Sequence, residues 1–339
     1  MALKGPRRRG VAPARLCAAG EGARTVGRSG RKPETTQPIA PIVPLATTLL
    51  LDPAMGGCVR QGKGELVGAD STRLVYRWWH PDGDDAPGEV VAFLPGVGGH
   101  SGQPTYEYFV DFLVKSGRAA YGLDLRGFGL SDGRPGHVDS WSDYIDDVRL
   151  FVDVVAAELP GTPVFLFGQS LGGLIALECA ADGGLPLNGL VVSAPAAGHP
   201  DVPTWLTTVV RAAARVAPTV SVNPRVDVAG FTRDPADVAR LQQDELSHRR
   251  VTACFAVAFD DAVGRVLGKV GQITMPVLVL VGSDDPVISP DVSRNLIELV
   301  GAEDKRLIVY ENGYHQPILD IDRQQVFHDI DAWINDHRR

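Results

Sequence analysis

The chain has 339 residues, 44% hydrophobic and 22% charged, ordinary globular usage that excludes collagen-like, mucin-like and wholly disordered chains. Its formal charge is −8, yet residues 1–40 hold nine Lys/Arg against Glu21 and Glu34, so the remaining body is strongly acidic and argues against nucleic-acid binding. No run of 18 apolar residues occurs, and the longest candidate, residues 39–51, is broken by Pro41 and Pro44, which excludes a spanning helix.

Residues 1–60 are rich in Ala, Gly, Arg and Pro and lack apolar periodicity, which predicts a disordered basic extension. Its origin stays open among an organellar transit peptide for a plastid or mitochondrion, an extension upstream of the true start, and a lipoprotein signal ending at Cys58. Otherwise a soluble intracellular location is expected. Cys17, Cys58, Cys179 and Cys254 show neither metal-ligand spacing nor disulfide density, and are expected to be free, mostly buried thiols.

From about residue 64 short apolar runs alternate with helix-length amphipathic segments, the pattern of an α/β fold with a mostly parallel central sheet and helices on both faces. Strands are predicted over 74–79, 90–94, 119–123, 164–167, 190–193, 277–281 and 306–310, and helices near 106–115, 141–159, 171–181, 292–300 and 324–336. Ser140, with Asp143 three residues on, marks a helix start. Between the strands ending at Ser193 and beginning near Ile273 no core strand is predicted. The organisation expected is therefore a core of residues 61–198 and 272–339 interrupted by a helical cap over 199–271.

The core carries its chemistry at strand ends. Gly168-Gln169-Ser170-Leu171-Gly172 is a G-x-S-x-G motif between a predicted buried strand and a helix. A serine on so sharp a turn needs small neighbours, and its hydroxyl then projects beyond the sheet. A hydroxyl is a poor nucleophile until a neutral imidazole takes its proton, and a carboxylate must orient that imidazole. Downstream, one strand ends in Asp284-Asp285 and the next is followed by His315. Backbone N–H groups of Leu171 and of Val97, on the loop after the 90–94 strand, are candidates for an oxyanion hole. No His/Cys/Asp/Glu cluster has ligand spacing, so neither metal nor cofactor is expected.

These residues resemble the α/β-hydrolase superfamily, and within it the monoacylglycerol lipase and lysophospholipase-like group, over about residues 65–337. The resemblance rests on Gly98-Gly99-His100-Ser101-Gly102, on the stretch from Asp124 through Arg126 to Gly133, on the elbow at Ser170, and on the helical insertion before the acid-bearing strand. It implies the order Ser170, Asp285, His315 for the catalytic residues, with Asp284 as alternate, and a structural role for Asp124 and Arg126. The chain departs from the family where Pro95-Gly96 replaces His-Gly, where Gly99 replaces a frequent Glu, and where Gln103 replaces a frequent Arg, leaving fewer polar groups for a glycerol head.

The expectation is a serine hydrolase of carboxylic esters, lipid-like in the sense of monoacylglycerols or lysophospholipids, working through an acyl-enzyme. The alternatives are a peptidase or amidase, which would need a carboxylate cluster for a substrate amino group, and a non-catalytic binding protein on the same fold. Trp205 and Leu206, on an apolar cap segment, are candidate acyl-chain contacts. Arg211 and Arg215, four apart on that segment, permit transient contact with a membrane surface.

Overall fold

The computed structural model describes residues 43–52, 57–83, 85–199, 203–224 and 226–338. Their strands are β1 (Val43–Asp52), β2 (Gly57–Val67), β3 (Arg73–His80), β4 (Val90–Leu94), β5 (Ala119–Leu123), β6 (Val164–Gln169), β7 (Gly189–Ser193), β8 (Ser221–Val222), β9 (Val251–Thr252), β10 (Val277–Gly282) and β11 (Lys305–Tyr310). The helices are α1 (Pro104–Lys115), α2 (Trp141–Glu158), α3 (Leu171–Asp182), α4 (Thr204–Val216), α5 (Pro235–Gln243), α6 (Ala253–Leu267), α7 (Pro290–Leu299) and α8 (Arg323–His337). Nine strands form one sheet in the order β1-β2-β3-β5-β4-β6-β7-β10-β11. It is parallel from β5 to β11, and β1, β2 and β3 form an antiparallel edge.

β4, β5, β6, β7 and β10 are buried along their whole length, as continuous apolar runs require. Alternate residues serve opposite faces. Val91, Phe93, Phe165, Phe167, Leu278 and Leu280 pack with α1 and α8, whereas Val90, Ala92, Val164, Leu166, Val277 and Val279 pack with α2, α3 and α7. At the start of α2 the Asp143 carboxylate accepts the Ser140 N–H at 3.2 Å.

The expectation of a structureless chain up to residue 60 fails for residues 43–52 and 57–60, which are in strands; residues 1–42 lie outside the described residues. Glycines concealed β2. A Cβ on Gly62 would sit 2.5 Å from the Trp78 ring, and one on Gly64 would sit 2.1 Å from the Tyr76 ring. The two aromatic side chains of β3 occupy that space, so β2 gives up strand propensity to admit them.

The stretch between β7 and β10 adds no strand to the large sheet among the described residues; β8 and β9 pair only with each other. Phe255, Ala262, Val263 and Val266 of α6 join the main core. α4 lies against α6 and buries only Ala214. Cys179 is a free buried thiol, pushed up to about 12 by burial. Cys254 is buried and disulfide-bonded, which corrects the expectation of free thiols throughout: linear spacing does not show which cysteines a fold brings together. Among the described residues no helix is long and apolar enough to cross a membrane.

Candidate active site

β6 ends at Gln169 and α3 begins at Leu171, so Ser170 alone turns the chain, with φ 51° and ψ −110°. This is backbone that L residues rarely adopt, and it costs on the order of 1–3 kcal/mol. The turn closes because its neighbours lack side chains. A Cβ on Gly168 would lie 2.5 Å from the Gly172 carbonyl oxygen, and one on Gly172 would lie 2.2 Å from that of Leu94. Hydrogen bonds hold the strained residue at both ends: its N–H donates to the Ser193 carbonyl at 3.0 Å, and its carbonyl accepts from Ala196 N–H at 3.0 Å.

The loops after β10 and β11 approach equally closely, since a Cβ on Gly282 would meet the Gly313 carbonyl oxygen at 2.1 Å. That approach delivers Asp285 to His315. The Asp285 Oδ2 accepts from His315 Nδ1–H at 2.7 Å, while its Oδ1 accepts the backbone N–H groups of Val287 and Ile288 at 2.7 and 2.9 Å. Both residues are buried. Asp284 is exposed and its carboxylate accepts from the Ser283 hydroxyl. Because a carboxylate only accepts, it fixes the imidazole proton on Nδ1 and leaves the Nε2 lone pair of the neutral ring available.

His315 is also held from two directions that sequence reasoning missed. Gln169 Nε2 donates to its carbonyl at 3.1 Å, and its own N–H donates to the carbonyl of Gly230, in the inserted stretch, at 3.2 Å. Phe231 lies against the ring, with centroids 5.6 Å apart. The x of the motif, Gln169, was the available signal, because a polar residue ending an otherwise apolar strand must find a partner.

A narrow cavity of about 30 Å³ brings Ser170, His315 and Val97 into one wall, together with Gly96, Phe231 and Val287. Gly96 passes so near the serine that a Cβ there would be 3.4 Å from the Ser170 Cβ. Leu171 is buried as the first residue of α3, where helix N–H groups lack intrahelical partners. Trp205 and Leu206 are not brought to this cavity: Trp205 is 67% exposed and Leu206 half-buried, on a helix that buries only Ala214. Arg211 is likewise taken, by Asp260 and Asp261 at 2.5 and 2.7 Å, whereas Arg215 is exposed.

Asp124 and Arg126 anchor loops. The Asp124 carboxylate accepts from Arg77, the Ser101 N–H and hydroxyl, and the Leu130 N–H, and Arg126 is held by Asp147 and Asp70. The loop bearing Val97 is tied in turn to the inserted stretch. His100 Nδ1 accepts the Gly102 N–H at 3.2 Å, so its Nε2–H donates to Asp244 Oδ2 at 2.9 Å. Among the described residues no group of three or more His, Cys, Asp or Glu side chains is arranged to hold a metal ion.

A family model described as "Serine aminopeptidase, S33" matches residues 85–322. Among curated proteins, the monoglyceride lipase of Homo sapiens is 31% identical over 275 residues, covering 80% of this chain and 89% of that protein. The monoacylglycerol lipase of Mycolicibacterium smegmatis is 30% identical over 274 residues, covering 80% and 96%. Among solved structures, the monoacylglycerol lipase of Paleococcus ferrophilus superposes with a TM-score of 0.69 at 27% identity, covering 78% of this chain and 99% of that one. A monoglyceride lipase variant from Saccharomyces cerevisiae gives 0.71 at 24% identity, covering 80% and 94%, and at that identity bears on the fold alone.

Proposed function

From the premise that the chain belongs to the α/β-hydrolase family described as serine aminopeptidase S33, we propose that it hydrolyses carboxylic esters of lipid type through Ser170, His315 and Asp285. The observation that carries this reading is the buried Asp285–His315 pair, whose imidazole lines one cavity with a serine on strained backbone. His315 Nε2 takes the Ser170 proton as the hydroxyl oxygen attacks the ester carbonyl, and Asp285 stabilises the imidazolium. The N–H groups of Val97 and Leu171 receive the developing oxyanion. Collapse expels the alcohol, which takes the proton from His315; water, activated by the same imidazole, then releases the acid.

Lipid character is supported by the apolar part of the wall, Val97, Val226, Phe231 and Val287, which stands beside Gln103 and Gln316, and by the lipase names of the relatives. Each methylene buried against such a wall contributes about 0.8 kcal/mol. The inserted stretch, residues 199–271, acts as a cap in this reading. On α4 it exposes Trp205, Val209 and Val216, a face suited to transient contact with a lipid surface. The description of the family model favours a second reading, aminopeptidase action. Against it, no carboxylate stands in the cavity wall among the described residues, and Asp237 and Asp244 of the cap are engaged by Arg240 and His100.

A fluorophosphonate probe separates a serine hydrolase from a binding protein on the same fold. It should label the wild type at Ser170 and leave Ser170→Ala unlabelled, and that variant should lose about 10⁴-fold or more in ester hydrolysis. Retention of more than about a hundredth of the activity by clean Ser170→Ala protein would refute the reading.

A further inference from the structure

Beside the cavity at Ser170 lies a second one of about 700 Å³, whose wall includes Ser221, Val222, Val226, Asp227, Arg249 and Arg250. The two cavities share Val226. The smaller has room for about one water molecule, whereas the larger falls within the roughly 300–1,000 Å³ of small-molecule sites.

The backbone that carries the two arginines is fixed against the candidate oxyanion loop. His248 N–H donates to the Gly98 carbonyl at 3.2 Å, and a Cβ on Gly98 would lie 2.3 Å from the His248 carbonyl oxygen. Arg249 therefore follows directly on a segment packed against the neighbour of Val97. On the other side, pairing of β8 with β9 sets Val222 opposite Val251, which places Arg250 one residue from a hydrogen-bonded ladder.

The charges themselves are unspent. Arg73, Arg77, Arg118, Arg126, Arg211, Arg233, Arg240 and Arg265 each meet a carboxylate. Arg249 and Arg250 are exposed, and neither is paired with a carboxylate among the described residues. Asp227 is the one carboxylate in the cavity wall, and its Oδ1 accepts the Ala229 N–H at 3.0 Å. In a chain whose formal charge is −8, two adjacent exposed arginines that line one cavity and meet no carboxylate among the described residues form an anion-binding feature. Such groups match the geometry of phosphate and carboxylate oxygens.

We infer that this cavity takes the anionic headgroup, a phosphate or carboxylate, of a monoacyl lipid whose ester lies at Ser170, with Arg249 and Arg250 determining specificity. The inference rests on the proposed ester hydrolysis, and it names the substrate class. A neutral glycerol head leaves both guanidinium groups unpaired. A cationic head or a peptide amino terminus is repelled.

The test uses full-length wild type and the Arg249→Gln/Arg250→Gln double variant on two substrates with one acyl chain, a monoacylglycerol and the corresponding lysophosphatidic acid, both below their aggregation limits. Wild type should favour the anionic lipid in kcat/KM by about tenfold or more, and the double variant should lose most of that ratio. A ratio measured on one preparation does not depend on how much of the variant folds. Raising NaCl from about 0.05 to 0.5 M should shrink the ratio in wild type and leave it flat in the double variant. A wild-type ratio at or below one, or a ratio indifferent to the substitutions, overturns the inference.

Binding of octyl phosphate against octyl glycerol, measured by calorimetry, decides the headgroup question without hydrolysis. Arginine-dependent preference for octyl phosphate upholds the inference even if no ester is cleaved, in which case it is the proposed activity that fails. Arginine-dependent binding of inorganic phosphate with no preference between the lipids marks a site for free phosphate and overturns it.

Discussion

The turn at Ser170 and helix α4 of the inserted stretch are held by opposite means. At the turn, backbone meets backbone: added Cβ atoms at Gly168 and Gly172 would fall within 2.5 and 2.2 Å of carbonyl oxygens, so neither position accepts a side chain without rebuilding the site. The inserted stretch packs α6 into the main core and adds polar ties to the loops below, among them His100–Asp244, Gln103–Ser247 and Arg265–Glu178. Its α4 leaves large apolar side chains in solvent. A close-packed interior transmits any change of volume, whereas surface contacts are worth little one by one. The difference teaches that the turn admits no added side chain, whereas the surface of α4 can be altered one residue at a time.

The sharpest way to break that contrast is to substitute neighbouring carboxylates at one strand end. Asp285→Asn should cost about 10⁴-fold in kcat, because an amide in that place favours the wrong tautomer of His315. Asp284→Asn should cost less than about threefold, its side chain being exposed. Steady-state kinetics on one soluble ester reads both, and the reverse order would move the acid's role to Asp284.

A smaller effect belongs to the cap. Trp205→Ala should lower hydrolysis of a long-chain ester presented in anionic vesicles by roughly tenfold, the loss of one buried indole, and shift kcat/KM on a monomeric short ester by less than about twofold. Equal loss on both would place Trp205 in the acyl path and not at the lipid surface.

The smallest effect lies at the antiparallel edge of the sheet. Burial, helped by the nearby Arg60 charge, lowers the His80 imidazole to about 4 from its ordinary 6.5. Its Nε2 lies 2.9 Å from the Tyr121 hydroxyl, which donates to Glu158. The fold therefore favours the neutral ring. The stability this contributes is complete above about pH 6.5 and is lost as pH falls toward about 4. Melting curves at pH 7 and 4.5 should show wild type losing on the order of a few degrees more in Tm than His80→Gln. Identical losses would assign the acid sensitivity to other groups.

The parallel half of the fold was legible because its strands are uninterrupted apolar runs and its helices carry one apolar stripe, signals that need no knowledge of partners. The elbow was legible for a similar reason: Gly168, Ser170 and Gly172 are local to one another. The β1–β2 hairpin was not, since Gly62 and Gly64 read as turn residues until the rings of Trp78 and Tyr76 are seen to fill their places. Nor could local pattern reveal that Asp244 reaches His100 across 144 positions, or that Trp205, apolar and on a helix, faces solvent. Those facts depend on which surfaces the fold sets side by side, and helical periodicity is blind to that.

The small volume beside Ser170 has a kinetic consequence. A long acyl chain exceeds a chamber of about 30 Å³, so Phe231, Val287 or their neighbours must give way before it is seated. Where that yielding precedes binding, it is a unimolecular step common to all bulky reagents. Inactivation by a bulky phosphonate should accordingly approach a ceiling as its concentration rises, and that ceiling measures how often the closed protein unlocks rather than how reactive its serine is.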